Sequence, residues 1–269
     1  MSQTPPLALP PERAGDLAGR LRQLGLTSLA RAVPTVLDAA RAQQWPYETL
    51  LQQAAEAELA GRAQRAYERR VRAAHLPTPK SLESFDFAFQ PTLSERLMRE
   101  LATLHFVASA TNVVFLGPPG VGKTHLALGL LGAALAAGHS GRFTTLRQLA
   151  DELETTTWRQ QRRRYLSPRV LVIDEVGYLR LASGQAQALF DLVTARYERG
   201  AILLTSNRSF GEWGALLGDE VLATALLDRL LHHAEVVAIN GRSYRMKDRQ
   251  VAALGPAPAA AAATAVAVP

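Results

Sequence analysis

Five short β-branched or apolar runs recur from residue 113 onward, at 113–116, 142–145, 170–173, 201–205 and 235–239. Each is separated from the next by a stretch with helical spacing. Three of the runs are nearly continuous apolar segments, as parallel strands covered on both faces require. The alternation predicts an α/β fold, a three-layer domain around a five-stranded parallel sheet.

The first third reads differently. From about residue 15 to 74 the pattern is helical, with Leu17, Leu21, Leu24 and Leu26 beginning one apolar stripe. Residues 47–74 repeat Ala, Leu, Glu, Gln and Arg with few breakers. Pro34 and Pro46 punctuate this stretch, which predicts a small all-α domain of three helices. Pro77 and Pro79 disfavour helix and predict a linker. Phe85, Phe87 and Phe89 then alternate as one side of an extended piece would, and 93–108 reads as another helix. The resulting organisation is a disordered start at 1–11, a helical domain for partner or DNA interaction at 12–75, a linker at 76–91, a nucleotide domain at 92–249 and a tail at 250–269. The tail is almost entirely Ala, Pro, Val and Gly and is read as disordered. No internal repeat is visible.

Gly117-Pro118-Pro119-Gly120-Val121-Gly122-Lys123-Thr124 is a complete G-x-x-x-x-G-K-[ST] loop. It follows the first apolar run and precedes a helix-favouring run, so it joins a buried strand to a helix N-terminus. There, backbone N–H groups and the positive end of the helix dipole converge on a phosphate. Lys123 supplies a point charge to the β- and γ-phosphates, and the Thr124 hydroxyl a ligand for Mg²⁺. The chain is therefore expected to bind a nucleoside triphosphate.

Composition narrows the setting. At 269 residues there is room for one sizeable α/β domain and a smaller unit. The chain has no cysteine, which excludes disulfide and thiolate chemistry. Prolines interrupt the first eleven residues where a signal peptide needs an apolar core, and the longest apolar stretch, 126–137, is too short to span a bilayer. A soluble cytoplasmic protein without membrane contact is expected. The net charge is +6, with five arginines against one acid at 62–72 and five against none at 159–169. Clustered arginine fits contact with a nucleic-acid backbone, although solvated helix faces can also be basic.

Fifty residues after Thr124, the run Val170-Leu171-Val172-Ile173 ends in Asp174-Glu175. A rigid strand ending in two carboxylates suits ATP hydrolysis, with Asp174 beside the metal and Glu175 polarising a water. Asn207, at the end of the next apolar run, can report the γ-phosphate, or can equally serve as a turn residue. Arg229 stands amid Leu and Ala (222–231). It is expected to leave its guanidinium free to reach a neighbouring subunit, the alternative being an ion pair with Asp228. Arg245 follows the last strand and can contact the nucleotide of its own subunit.

Together with 76–87, Asp174 to Leu179, Thr205 to Arg208, Phe210 to Gly214, Leu227 to His233 and Arg242 to Arg245, these motifs closely resemble the IstB-like ATP-binding proteins. Those are helper ATPases of insertion-sequence transposons, in the AAA+ clade that also holds the DnaC helicase loaders. The resemblance covers about residues 7–248. It implies an AAA+ core with sheet order 5-1-4-3-2, Asp174 near Mg²⁺, Glu175 as catalytic glutamate, Asn207 as first sensor and Arg229 as arginine finger. It also implies ATP- and DNA-dependent homo-oligomers on duplex DNA that cooperate with an IstA-type transposase in choosing the insertion site. A replicative helicase loader of the DnaC type is the alternative, distinguished by what the amino-terminal domain grips. The arginine-rich run 159–164 and the near absence of a carboxy-terminal lid after Ile239 depart from the family pattern.

Overall fold

Residues 16–155 and 158–246 are described in the computed structural model of the chain. The expected disorder at 1–11 and 250–269 lies outside them. The five apolar runs become β1 (Asn112–Leu116), β2 (Gly141–Thr145), β3 (Val170–Val176), β4 (Ala201–Ser206) and β5 (Ala234–Ala238). All four pairings are parallel, in the order β2-β3-β4-β1-β5, which is the expected order read from the opposite edge.

Both faces of the sheet are buried over β1, β3 and β4, and alternate residues supply two separate cores. Val113, Phe115, Val170, Val172, Ala201 and Leu203 pack on one side. Val114, Leu171, Ile173, Ile202 and Leu204 pack on the other. A two-residue period with apolar side chains in both phases is why these runs read as continuous. The first face is covered by α6 (Lys123–Ala136), which is apolar almost all round, and by short helices α4 (Glu95–Ala102) and α5 (His105–Ala108). The second carries α7 (Leu146–Thr155), α9 (Ser183–Arg196), α10 (Trp213–Leu217) and α11 (Glu220–Leu231). Helix α8 (Trp158–Leu166) holds the arginine-rich run and packs against α9.

Ahead of this body lie α1 (Leu17–Gln23), α2 (Thr27–Gln43) and α3 (Tyr47–Ala74). Three helices form, but not with the expected break. Pro34 sits inside α2, and the chain turns at Gly25, whose φ is +74°. A proline inside a helix removes one hydrogen bond. Here Pro34 is exposed, and α2 lies along α3 over its length, which offsets the loss. Leu26, the residue before α2, offers no side-chain cap. The buried Glu58 carboxylate of α3 takes that role, accepting from Ser28 N and Leu29 N at 2.9 Å each. Arg62 and Arg65 pair with the same carboxylate at 2.9 and 3.2 Å. These partners, led by the Leu29 N–H, hold the Glu58 carboxyl down at about 2. The far end of α3 joins the main body: Ala74 is fully buried in the first core, and Arg70 Nε donates to Leu135 O at 2.9 Å.

The phenylalanine segment is not extended. Residues Phe87–Phe89 form one 3-10 turn, capped by the Asp86 carboxylate accepting from Phe89 N. Phe85 and Phe87 pack edge to face at 4.9 Å, while Phe89 turns to Tyr244 at 5.1 Å. A local carboxylate cap closes the turn that simple alternation cannot foresee.

Candidate functional site

The carboxyl ends of β1, β4 and β3 lie side by side, and three of the singled-out motifs leave the sheet there. Above them is a cavity of about 600 Å³ lined by Pro119 to His125, Glu175, Asn207 and Arg245, among others. The loop 117–124 runs straight from β1 into the amino end of α6, as its motif requires. Gly122 has φ +99°, and a Cβ there would come within 2.5 Å of the Phe85 ring. Glycine is needed at that position for both reasons.

Lys123 lies at the loop's mouth, its Nζ donating to Gly117 O and Pro118 O at 2.7 and 2.8 Å. Burial pulls its ammonium below the ordinary lysine range; Asp174 opposes that and Arg245 adds to it. Two basic side chains, Lys123 and Arg245, line this end of the cavity. Next to it, Thr124 Oγ1 donates to Asp174 Oδ1 at 2.9 Å, so the buried Asp174 reaches the cavity through that hydroxyl.

Successive residues of a regular strand face opposite ways, so Asp174 and Glu175 could not both serve one site. The chain solves this with an irregularity in the β3–β4 register between Ile173 and Val176, where Glu175 takes φ +62°. A non-glycine residue held in that region is strained, as bulged residues beside functional sites often are. Glu175 is exposed at the cavity wall, while its N–H donates to Thr205 Oγ1 at 3.0 Å. The same Oγ1 donates to Asp174 Oδ1 at 2.5 Å. One hydroxyl therefore ties the Asp174 carboxylate to the Glu175 backbone. Asn207 follows on the same wall, its Oδ1 buried beside Gly177 and unpaired among the described residues. At Gly177 φ is +115° and a Cβ would approach that oxygen to 2.5 Å.

The segment expected as a linker forms a further wall. Lys80, Ser84, Phe85, Asp86 and Gln90 line the cavity. His125 Nε2 lies 2.9 Å from Ser81 O and 3.2 Å from Ser84 Oγ, which seats the segment on α6. From the other end of the chain, residues 240–246 fold back: Tyr244 N donates to Gly120 O at 2.9 Å, and Gln90 Nε2 to Arg242 O at 2.8 Å. This short return brings Arg245 into the cavity.

Arg229 lies elsewhere, in a shallow groove on α11 with Glu220, Val221 and Asp228. Its guanidinium is not free, contrary to expectation. It stacks over the Phe190 ring at 4.8 Å and donates to Ala225 O at 3.0 Å. An aromatic face and a carbonyl one turn back are both within reach of a long side chain lying along its own helix. The ion pair with Asp228 is not among those formed by the described residues.

The donor set suits a magnesium nucleotide. Among the described residues no group of three or more acidic, His or Cys side chains gathers as a metal cage. Two hard oxygens, from Thr124 and Asp174, suit an ion that takes its remaining ligands from phosphate and water.

A family model described as IstB-like ATP binding protein matches residues 19–252. This chain belongs to that family. Relatives agree along nearly the whole length. A protein of insertion sequence IS21 from Pseudomonas aeruginosa, named for ATP binding, is 43% identical over 88% of this chain and 91% of its own. One of insertion sequence IS5376 from Geobacillus stearothermophilus is 40% identical over 85% and 93%. Among solved structures, DnaI is similar with TM-score 0.50 at 20% identity, over 60% of this chain and 90% of that one. AMPPCP-bound DnaA from Aquifex aeolicus gives TM-score 0.50 at 24% identity, over 64% and 54%. At such identities these likenesses speak for the fold alone, a P-loop domain of the AAA+ type. No helix among the described residues is long and apolar enough to cross a membrane.

Of the residues the IstB-like motifs point to, Lys123, Thr124, Glu175, Asn207 and Arg245 meet at one cavity, Asp174 joins it through Thr124, and Arg229 stands apart. The sequence reading missed the Thr205 hydroxyl and the Phe85 wall. A polar residue ending an otherwise apolar strand was a signal for the first. Nothing local marked the second.

Proposed function

We propose that this IstB-like protein is an ATPase that helps DNA transposition. It binds Mg·ATP, assembles as a homo-oligomer on duplex DNA, and cooperates with an IstA-type transposase in choosing the insertion site. The observation that carries the hydrolytic part is the Thr205 hydroxyl, which links Asp174 to the Glu175 backbone at the cavity wall facing Lys123. A pure nucleotide-binding scaffold has no use for a strained backbone that holds a second carboxylate at the cavity wall. The insertion-sequence names of the relatives support the role in transposition.

In this reading Lys123 leaves the loop carbonyls to meet β- and γ-phosphate oxygens, and the loop's backbone cradles the chain of phosphates. Thr124 and Asp174 would hold Mg²⁺, which supplies charge neutralisation between the phosphates. Glu175 orients a water for in-line attack on the γ-phosphorus and takes its proton, while the bond from that phosphorus to the β-phosphate oxygen breaks and ADP leaves. Asn207 senses the γ-phosphate from the neighbouring strand. Arg245 contacts the nucleotide of its own subunit, and Arg229 neutralises transition-state charge at the nucleotide of the next. DNA is held through its phosphates by the arginines of α8 and α3.

Phosphate release measured with and without duplex DNA tests this function. Lys123→Ala should lose tight Mg·ATP binding. Glu175→Gln should bind ATP as before and lose turnover by on the order of 10²-fold or more. A Glu175→Gln protein that hydrolyses ATP at the parent rate removes the assigned base.

A further inference from the structure

We infer that Phe190 is the platform that positions Arg229 for a phosphate held by a second copy of the chain. The inference rests on the reading of Arg229 as acting between subunits. The Arg229 guanidinium carbon lies 4.8 Å from the centre of the Phe190 ring, across the packed pair α9 and α11. One guanidinium nitrogen donates to Ala225 O, one turn earlier, at 3.0 Å. Both side chains are half-buried at the edge of the second core, beside an open groove.

What matters is the kind of partner. Among the described residues no carboxylate pairs with Arg229. A carboxylate would fix the side chain but neutralise it. A ring face and one carbonyl fix it while leaving its charge uncompensated. The ring meets the flat face of the guanidinium, and the carbonyl uses one of five in-plane donors. The others remain for an acceptor from outside. A long side chain ordered in advance loses less freedom on binding, so the ring lowers the cost of reaching the neighbour's phosphate.

Ring removal should therefore affect only the assembled enzyme. Phe190→Leu keeps an apolar side chain and removes the platform. It is expected to lower DNA-stimulated kcat about 3- to 30-fold, the range that removal of a cation–π interaction implies. KM for ATP and the melting temperature should stay near the parent values, and Phe190→Trp should restore kcat. The decisive variant is the double one. In an Arg229→Ala background, Phe190→Leu should cause no further loss, because the platform has nothing left to position. Parent turnover by Phe190→Leu, or an additional loss in the Arg229→Ala background, overturns the inference. If Arg229→Ala alone turns over at the parent rate, the between-subunit role of Arg229 fails first, and this inference with it.

Discussion

Thr205 and Asp174 share a 2.5 Å hydrogen bond beneath the phosphate loop, and the same Thr205 oxygen accepts the Glu175 N–H at 3.0 Å. The Asp174 carboxylate and the Glu175 backbone at the end of β3 are thereby set by one hydroxyl on β4. Thr205→Val keeps the shape of the side chain and deletes both bonds, leaving a backbone N–H at the strained residue unpaired. Turnover should fall about 5- to 100-fold, the equivalent of one to two such bonds, with ATP affinity changed far less. Thr205→Ser should recover most of the activity. Single-turnover phosphate release beside equilibrium nucleotide titration checks the split.

Glu58 makes the helical domain sensitive to acid. Its carboxyl is held at about 2 from an ordinary 4.5 by two backbone N–H groups and two arginines. A depressed carboxylate stabilises fully above its unfolded value and loses that contribution as pH falls through the folded one. Glu58→Gln should therefore melt at lower temperature than the parent at pH 7. The gap should hold down to about pH 4.5 and close between there and about pH 2. Thermal melts followed by helical circular dichroism across that range test it. A gap independent of pH would show that charge at Glu58 is not what caps α2.

The arginines of α8 predict how DNA binding responds to salt. Replacing Arg162, Arg163 and Arg164 with Ala should lower the slope of log affinity against log salt by up to about 3, close to one unit for each phosphate no longer neutralised. Affinity should remain largely independent of sequence, because the phosphate backbone is the same at every base pair. Fluorescence anisotropy with two unrelated duplexes over a salt series measures both. An unchanged slope would assign this run to a solvated face.

Most of the nucleotide domain was legible because its signals are local. The loop 117–124 and the apolar runs around it carry their own geometry, and a buried parallel sheet leaves little choice of period. What was not legible depends on distant partners. Pro34 lies inside a helix because α3 supports α2 from outside. Glu58 caps a helix thirty residues away in sequence. Phe85 becomes a wall of the cavity only because 80–90 folds onto α6, and Arg229 lies on a ring contributed by another helix. The side-by-side position of Asp174 and Glu175 was legible as chemistry. The bulge that puts Glu175 at the cavity wall was not, since it arises from the pairing of β3 with β4.

The central claim is a catalytic site shared between subunits, and mixing two inactive proteins tests it most directly. Arg229→Ala and Glu175→Gln should each lose DNA-stimulated hydrolysis, the former by on the order of 10³-fold. In a mixed assembly, some sites combine an intact Glu175 from one chain with an intact Arg229 from its neighbour. Phosphate release from the mixture should therefore rise well above that of either protein alone, with mixed assembly verified by energy transfer between labelled chains. A verified mixture that stays as inactive as its components would contradict a shared site and return Arg229 to a purely structural place on α11.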